Sequence, residues 1–336
     1  MSAADMLQGK VLIVIPTLNE ARHIETVITT LLPFAEAHGA RIVVADGGSE
    51  DGTPEIVRQI AARAPCVTLL HNPARLQADG INLAVATHGA GAEWLIRIDA
   101  HSHYPQDYCA TLLAEAQSTG ADSVVVRMQA EGAQGLQDLI ARTQNSPLGN
   151  GGAAHRNGGA GRWVDHGHHA LMRLAAFRAV GGYTPGFSHN EDAELDLRLT
   201  RAGYRIWLTA RTALRYLPRA TLTALARQYY QFGRGRARTM RCHQMRPAAR
   251  QAVLIALAPL VVLASAAPYA PLLALPAAIW ALACLSAGVW LAARDRDARM
   301  LACGPIAALM QLSWSAGFWR QWLSPAPGAK ATEVPG

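Results

Sequence analysis

Cysteine is scarce in this sequence. The 336 residues include only five cysteines, and no two of them form a Cys-x-x-Cys pair. An odd number of scattered cysteines argues against both a disulfide framework and a zinc site built from thiolates. We therefore expect the protein to work in a reducing compartment.

Charge is missing from one long stretch. Residues 252–293 contain no Asp, Glu, Lys or Arg, and a second uncharged run covers residues 300–318. About 20 apolar residues are enough to cross a bilayer. The first run is twice that long and has prolines at 268, 271 and 276, so it predicts two spans joined by a turn. The second run predicts a third span. The alternative, a buried helical hairpin of a soluble protein, would need 42 uncharged residues in its core.

The N-terminal region offers no signal peptide. Its first apolar run, Val11–Ile15, is too short for a leader and is stopped by Pro16. The basic residues predict the orientation instead. The net charge is +7, and six arginines stand just before the uncharged run, at 234, 236, 238, 241, 246 and 250. Cytoplasmic flanks of membrane spans are rich in Lys and Arg.

These features predict four regions. We expect a cytosolic domain at 1–215, a basic membrane-proximal segment at 216–250, about three transmembrane helices within 251–323 and a tail at 324–336. The location would be a bacterial-type plasma membrane with the catalytic domain in the cytoplasm. Because the basic segment adjoins the membrane, anionic headgroups or diphosphates are better partners for it than nucleic acid.

Strands and helices alternate through the first 100 residues. Apolar runs at Val11–Ile15, Arg41–Ala45, Val67–Leu70 and Trp94–Ile98 predict buried strands. Helical patterns separate these runs, and Asn19 is a good N-cap for the first helix. Such alternation indicates βαβ units, so we predict an α/β fold with a mostly parallel sheet and helices on both faces.

Polar side chains follow three of these strands. Asn19 and Glu20 come after the first strand, Asp46 ends the second, and Asp99 and His101 follow the fourth. Ligands of open α/β sheets bind at the carboxyl ends of the strands. Asn19 and Asp46 could instead serve only as a helix cap and an Asx turn. Asp99 and His101 are close enough in sequence to hold one divalent cation, or they could form a surface turn.

Two later clusters also carry candidate residues. The first is Asp165, His166, His168 and His169, in a stretch predicted as one strand over Trp163–Arg173. Alternation would place His166 and His168 on one face and the other two on the opposite face. One of these histidines could bind metal or phosphate, or all could serve packing and polar contacts.

The second cluster is His189–Asp192, which opens a helix predicted over Glu191–Ala202. Acidic residues are common in a first helical turn because the helix dipole favours them there. A carboxylate at that position can also take a proton from a sugar hydroxyl, and we choose Asp192 as the general base. Further along, arginines 234, 236 and 238 could bind phosphate oxygens or simply set the membrane topology.

Four motifs together resemble family-two inverting glycosyltransferases of the GT-A fold. They read PTLNE at 16–20, ADGGSEDGT at 45–53, RIDAHSHYP at 97–105 and HNEDAELDLRL at 189–199. Two further motifs, VDHGHHA at 164–170 and RQYYQFGRGRART at 227–239, are similar to a branch of the family that acts in succinoglycan biosynthesis. Where the family commonly has Asp-x-Asp, this chain has Asp99-Ala100-His101.

The resemblance implies a role for each site residue. The donor would be bound by Pro16, Asn19, Glu20, Asp46, Arg75 and Asp99. A divalent cation, Mn²⁺ or Mg²⁺, would be held by Asp99 and His101, with His168 as a further candidate. Asp192 would be the catalytic base. The acceptor or its diphosphate would be bound by Glu191, Gln228, Arg234, Arg236 and Arg238.

The expected reaction follows from these roles. The enzyme would move a sugar, expected to be glucose from UDP-glucose in a β-linkage, to a polyprenyl-diphosphate-linked saccharide in exopolysaccharide synthesis. Its partners would be the nucleotide sugar, the lipid-linked acceptor, membrane lipid and other polysaccharide-assembly proteins, but not nucleic acid. Alternatives are transfer to polyprenyl phosphate itself, a processive synthase, and a non-catalytic scaffold of an assembly complex.

Overall fold

A computed structural model describes residues 9–150 and 160–325. Two compact units divide the chain, residues 1–220 and residues 221–336. Most of the predicted tail, residues 326–336, lies outside the described residues.

The described part of the N-terminal unit contains a nine-stranded sheet. Its strands are β1 (Val11–Thr17), β2 (Arg41–Asp46), β3 (Val67–His71), β4 (Trp94–Arg97), β5 (Ser102–His103), β6 (Ser123–Ala130), β7 (Arg162–Val164), β8 (His168–Arg173) and β9 (Ile206–Tyr216). Their order is β3-β2-β1-β4-β8-β6-β9-β5, with β7 also paired to β9. The first four strands are mutually parallel, whereas β8 runs antiparallel between β4 and β6. The α/β prediction is confirmed, with a mixed second half of the sheet.

Eight helices accompany the sheet in the described residues of this unit. They are α1 (Ile24–His38), α2 (Thr53–Arg63), α3 (Gln77–His88), α4 (Tyr108–Thr119), α5 (Leu136–Asn145), α6 (Pro147–Asn150), α7 (Leu174–Ala179) and α8 (Glu191–Arg201). The central strands are apolar on both faces because both faces are covered. Ile13 and Ile15 of β1 pack in one buried cluster, and Leu12 and Val14 pack in another.

The start of α1 differs from the prediction. Asn19 is not its N-cap, because the helix begins at Ile24 after His23. Asn19 instead adopts a left-handed backbone conformation with φ 59°, and its side-chain oxygen accepts a hydrogen bond from the Glu50 N–H. The Asn19 side chain therefore joins two loops at the sheet edge rather than capping a helix.

The stretch predicted as one strand over Trp163–Arg173 is two strands. Residues 165–167 separate β7 from β8, because β7 pairs with β9 whereas β8 pairs with β4 and β6. The predicted alternation of His166 and His168 on one face, with Asp165 and His169 on the other, is therefore wrong. His166 and His169 instead contact the same carboxylate, Asp196.

The C-terminal unit is helical in its described residues. It contains α9 (Leu222–Cys242), α10 (Ala249–Ala264), α11 (Leu275–Asp295) and α12 (Cys303–Trp322). Two continuous helical stretches, Pro271–Asp295 and Ala298–Trp322, are long and apolar enough to cross a membrane. With 16 residues, α10 is about 24 Å long, shorter than a hydrocarbon core of about 30 Å. Two of the three predicted helices thus meet the criteria of length and composition.

Glycines bring α9 and α12 into backbone contact. A Cβ atom on Gly233 would overlap the Trp314 carbonyl, and one on Gly317 would overlap the Tyr230 carbonyl. Arg241 adds bonds from its guanidinium to the carbonyls of Gln321 and Ser324 at the end of α12. The basic helix α9 is therefore packed directly against a candidate membrane span.

Candidate active site

A cavity of about 170 Å³ opens where β1, β2 and β4 end. Four of the six predicted donor residues line it, namely Pro16, Glu20, Arg75 and Asp99, and His101 lines it as well. The parallel register explains this convergence, because Thr17 lies opposite Asp46 and Val14 lies opposite Arg97. The ends of the three strands therefore lie side by side at one edge of the sheet.

Asp46, another predicted donor residue, is occupied by its own turn. Its buried carboxylate accepts hydrogen bonds from the N–H groups of Gly48 and Ser49 and from the Ser49 hydroxyl. This is the Asx-turn alternative. Neither Asp46 nor Asn19 is among the residues that line the cavity, and a donor role for them stays a prediction.

Arg97 lies at the centre of the polar groups next to the cavity. Its side chain is 4% exposed. The guanidinium contacts Asp99 through Nε at 3.3 Å, and Asp192 and Tyr183 through Nη1. Nη2 lies 3.8 Å from Glu191. One buried cation therefore holds three carboxylates, from the end of β4 and the start of α8.

The start of α8 delivers Asp192 to this cation. Asn190 precedes the helix in a left-handed conformation with φ 66°, which turns the chain just before Glu191 and Asp192. Asp192 Oδ1 contacts Arg97, the Tyr183 hydroxyl at 3.3 Å and His169 Nδ1 at 3.3 Å. Asp99 and Asp192, separated by more than 90 residues in sequence, are thus brought to one point.

The histidines form a second layer of contacts. His169 is fully buried, and its Nε2 lies 2.6 Å from Asp196 while its Nδ1 lies 2.7 Å from the Tyr183 hydroxyl. Burial lowers the pKa of His169, but Asp196 and Asp192 more than compensate and raise the pKa above its ordinary value. In the charged imidazolium both nitrogens donate, so the ring can bond Asp196 and Tyr183 together.

The two acids of the Glu191–Asp192 pair differ in ionisation. Burial would raise the pKa of Asp192, but Arg97, His169 and His168 hold it well below its ordinary value. For Glu191, burial and then repulsion by Asp192 raise the pKa above the usual carboxyl range. Asp192 is consequently ionised at neutral pH, which a general base requires before it can accept a proton.

The predicted metal ligands are only partly together. His168 Nε2 lies 3.3 Å from Asp99 Oδ2, whereas His101 Nδ1 lies 3.0 Å from Glu20 Oε1. Within the described ranges, no three acidic, histidine or cysteine side chains converge as a ready metal site. The donor set of Asp99 and His168, one carboxylate and one imidazole, suits a divalent cation whose other ligands come from phosphate oxygens or water.

Comparison with known proteins identifies the family. The model of "Glycosyl transferase family 2" matches residues 12–181. The succinoglycan biosynthesis protein ExoA of Rhizobium meliloti (strain 1021) is 51% identical over 96% of this chain and 98% of its own length. The chain belongs to glycosyl transferase family 2. It is therefore a glycosyltransferase.

Two more distant proteins also resemble this chain. Glycosyltransferase AglD of Haloferax volcanii is 28% identical over 61% of this chain and 33% of its own length. The mannosyltransferase PcManGT of Pyrobaculum calidifontis, solved with GDP-Man and Mn²⁺, superimposes with a TM-score of 0.56. It is 21% identical and covers 91% of this chain and 87% of its own. This likeness confirms the predicted GT-A fold.

Three residues of the candidate site were not among the site residues predicted from sequence. Arg97, Tyr183 and Asp196 are buried and contact predicted residues directly. Arg97 carried a signal, because it is a charge at the end of an apolar strand and burying such a charge requires partners. Asp196 lies within the HNEDAELDLRL motif but received no role of its own, and Tyr183 follows two glycines, where a tyrosine is ordinary.

The remaining predicted residues lie on α9 in the C-terminal unit. Arg234 contacts Gln231 and Gln321, and Arg236 contacts Gln251. Within the part of the chain that the structure describes, Gln228 Oε1 and Arg236 Nε are buried without a hydrogen-bond partner. Arg238 is half-buried on the same helix. Their assignment to the acceptor or its diphosphate stays a prediction.

Proposed function

We propose that this family-two glycosyltransferase is an inverting enzyme that transfers glucose from UDP-glucose to a polyprenyl-diphosphate-linked saccharide. The pathway would be exopolysaccharide synthesis of the succinoglycan type. The 51% identity to the succinoglycan biosynthesis protein ExoA over nearly the full chain supports this pathway. The observation that carries the chemistry is that one guanidinium, that of Arg97, contacts both Asp192 and Asp99, and that Asp99 lines the donor-type cavity.

In this proposal Asp192 takes the proton of the acceptor hydroxyl. The oxygen attacks the anomeric carbon from the side opposite the diphosphate, a bond to UDP breaks, and the configuration inverts. Glu20, Arg75 and Asp99 line the cavity and would bind the donor. A divalent cation at Asp99 and His168 would supply positive charge to the departing diphosphate.

Membrane attachment follows from the nature of the acceptor. A polyprenyl chain stays in the bilayer, and two helical stretches of this chain are long and apolar enough to span it. The segment 221–250 contains seven arginines and no acidic residue, a composition that favours a cytoplasmic membrane surface. We therefore place the enzyme at the inner membrane with its catalytic unit in the cytoplasm.

A donor panel tests this proposal. Membranes that contain the protein are incubated with radiolabelled nucleotide sugars one at a time, and lipid extracts are analysed for labelled product. We expect label from UDP-glucose on a lipid that already bears a saccharide. Label on polyprenyl phosphate itself would overturn the acceptor assignment, and label from another donor alone would overturn the choice of sugar.

The Asp192→Asn variant tests the role of the base. It removes the proton acceptor but leaves the cavity residues in place, so we expect transfer to fall by about 100- to 10,000-fold. UDP affinity, measured by calorimetry, should change by less than about threefold. A parallel loss of UDP affinity would show that Asp192 binds the donor instead.

A further inference from the structure

Arg97 is a costly residue to bury. Its neighbours along β4, Trp94–Ile96, are apolar and buried, and its own side chain is 4% exposed. Taking a guanidinium out of water is unfavourable unless its donors are all bonded to well-placed acceptors. The partners of Arg97 therefore explain why a charge stands at the end of this strand.

Those partners require the forked shape of a guanidinium. Nε reaches Asp99, Nη1 reaches Asp192, and Nη2 points toward Glu191 at 3.8 Å. Gln77 lies against the same group, and its amide oxygen accepts from Nε at 2.8 Å when the amide is turned to satisfy its neighbours. A lysine ammonium is a single point of charge and cannot reach all these acceptors together.

The contacts fix the rotation of the Asp192 carboxylate. Oδ1 is shared by Arg97, Tyr183 and His169. In the described residues, the contact recorded for Oδ2 is His168 Nδ1 at 3.6 Å, which is beyond hydrogen-bond length. Oδ2 is therefore the oxygen left to take a proton, and Oδ1 is the anchored one.

We propose that Arg97 is a positioning residue that sets the rotation of Asp192 and ties it to Asp99. Arg97 is not among the side chains that line the cavity, so it acts through these two carboxylates rather than on substrate. The proposal rests on the proposed function, in which Asp192 is the base and Asp99 belongs to the donor site. In this proposal the Arg97 side chain sets the distance between the base, Asp192, and the donor-site residue Asp99.

The variants Arg97→Met and Arg97→Lys test this role. Arg127→Met is the control, because Arg127 is also a strand arginine, half-buried on β6, whose guanidinium donates a hydrogen bond to the Ala210 carbonyl and not to a carboxylate of the site. We measure kcat for transfer in membranes and UDP affinity by calorimetry with Mn²⁺. Arg97→Met should lower kcat by about 100-fold while UDP affinity changes by less than about threefold. Arg97→Lys should regain no more than about tenfold of that loss.

The Asp192→Asn background gives the decisive comparison. Substitutions of residues that act as a unit do not have additive effects on kcat. Arg97→Met should therefore lower kcat by less than about threefold further when Asp192→Asn is already present. A full 100-fold further loss would overturn the proposal. So would a fall in UDP affinity as large as the fall in kcat, because Arg97 would then be a donor ligand.

Thermal unfolding separates this inference from the proposed function. If the wild-type protein transfers no sugar from any donor, the proposed function fails. The coupling between Arg97 and Asp192 can still be measured from the thermal unfolding midpoints of Arg97→Met, Asp192→Asn and the variant that carries both substitutions. The double variant should lose several degrees less than the sum of the single losses, and an additive result would overturn the pairing. Arg97→Lys replaces Arg97→Met in every arm if the methionine variant does not fold.

Discussion

Loss of the His169–Asp196 contact should destabilise the N-terminal unit more than loss of any exposed ion pair. The two side chains are 0% and 1% exposed, and their nearest atoms are 2.6 Å apart. His169→Leu removes both ring nitrogens and roughly preserves the volume. Asp196 then keeps only its contacts to His166 at 2.8 Å and the Gly167 N–H at 3.2 Å among those recorded.

The expected magnitude follows from the burial of the remaining carboxylate. Removing one partner of a buried pair costs about 3–5 kcal/mol because it leaves a charge without full compensation. Since two contacts to Asp196 survive, we expect about 3 kcal/mol. For a domain of this size that lowers Tm by roughly 6–12 °C. The measurement is thermal unfolding of the full chain in detergent, followed by tryptophan fluorescence.

A matched control isolates the effect of burial. Glu55 and Arg58 also form an ion pair, but their side chains are 63% and 62% exposed. Glu55→Gln should therefore cost less than about 0.5 kcal/mol. The double variant His169→Leu with Asp196→Asn should be more stable than His169→Leu alone, because it removes the uncompensated charge. The reasoning would be refuted if the double variant were less stable than His169→Leu alone by as much as Asp196→Asn destabilises the wild type.

The pH dependence has a definite sign. Burial raises the pKa of Asp196, but His169 and His166 lower it overall below its ordinary value of 3.8, so its contribution is complete above that pH and is lost as the pH falls. His169 has a pKa raised above 6.5, so its contribution is complete below that pH and is lost as the pH rises. The cost of His169→Leu should therefore be greatest between about pH 4 and 6.5.

Three further variants test other parts of the molecule. Because the pKa of Glu191 is raised above 4.5 in the folded protein, this carboxyl makes the wild type less stable as the pH rises above 4.5. Glu191→Gln removes the carboxyl, so that loss of stability should shrink by an amount on the order of 1 kcal/mol. Equal slopes of Tm against pH between pH 5 and 8 in the variant and the wild type would contradict this. His168→Ala should weaken Mn²⁺-dependent UDP binding by about tenfold, because His168 and Asp99 form the donor set proposed for the cation; an unchanged Mn²⁺ titration would remove His168 from that set. Gly317→Leu should lower the free energy of unfolding by about 1–3 kcal/mol, because the new leucine side chain would overlap the Tyr230 carbonyl of α9. Ala316→Leu, at an exposed position of α12, should change the free energy of unfolding little.

The order of elements could be predicted from sequence because buried parallel strands are continuous apolar runs. The predicted strands at Val11–Ile15 and Val67–Leu70 end within two residues of β1 and β3. Asp99 could be chosen for the same reason, as the first acid after such a run. The strand predicted over Trp163–Arg173 failed, because β7 and β8 pair with different strands and local polarity does not show such a change of partner.

The contacts of the chosen residues could not be predicted in the same way. The meeting of Arg97 with Asp192 depends on β8 inserting antiparallel between β4 and β6. That insertion brings the histidines beside β4 and allows α8 to begin over its end. Strand order is a property of the whole sheet, so the sequence around Arg97 predicts a buried charge but not which acid neutralises it.

The balance of charge at the site bears on how a donor could bind there. Asp99, Glu191 and Asp192 are each about 15% exposed or less, and one guanidinium lies among them. Burial would raise the pKa values of Asp99 and Asp192, but Arg97 holds both below their ordinary value, so a nucleotide diphosphate adds further negative charge beside two ionised carboxylates and one guanidinium. Electrostatic repulsion in a partly desolvated site is strong, so the diphosphate needs a cation beside Asp99 to offset it. We therefore expect UDP to bind more tightly with Mn²⁺ than without it, and the Mn²⁺ titration of UDP binding measures this balance without depending on transfer.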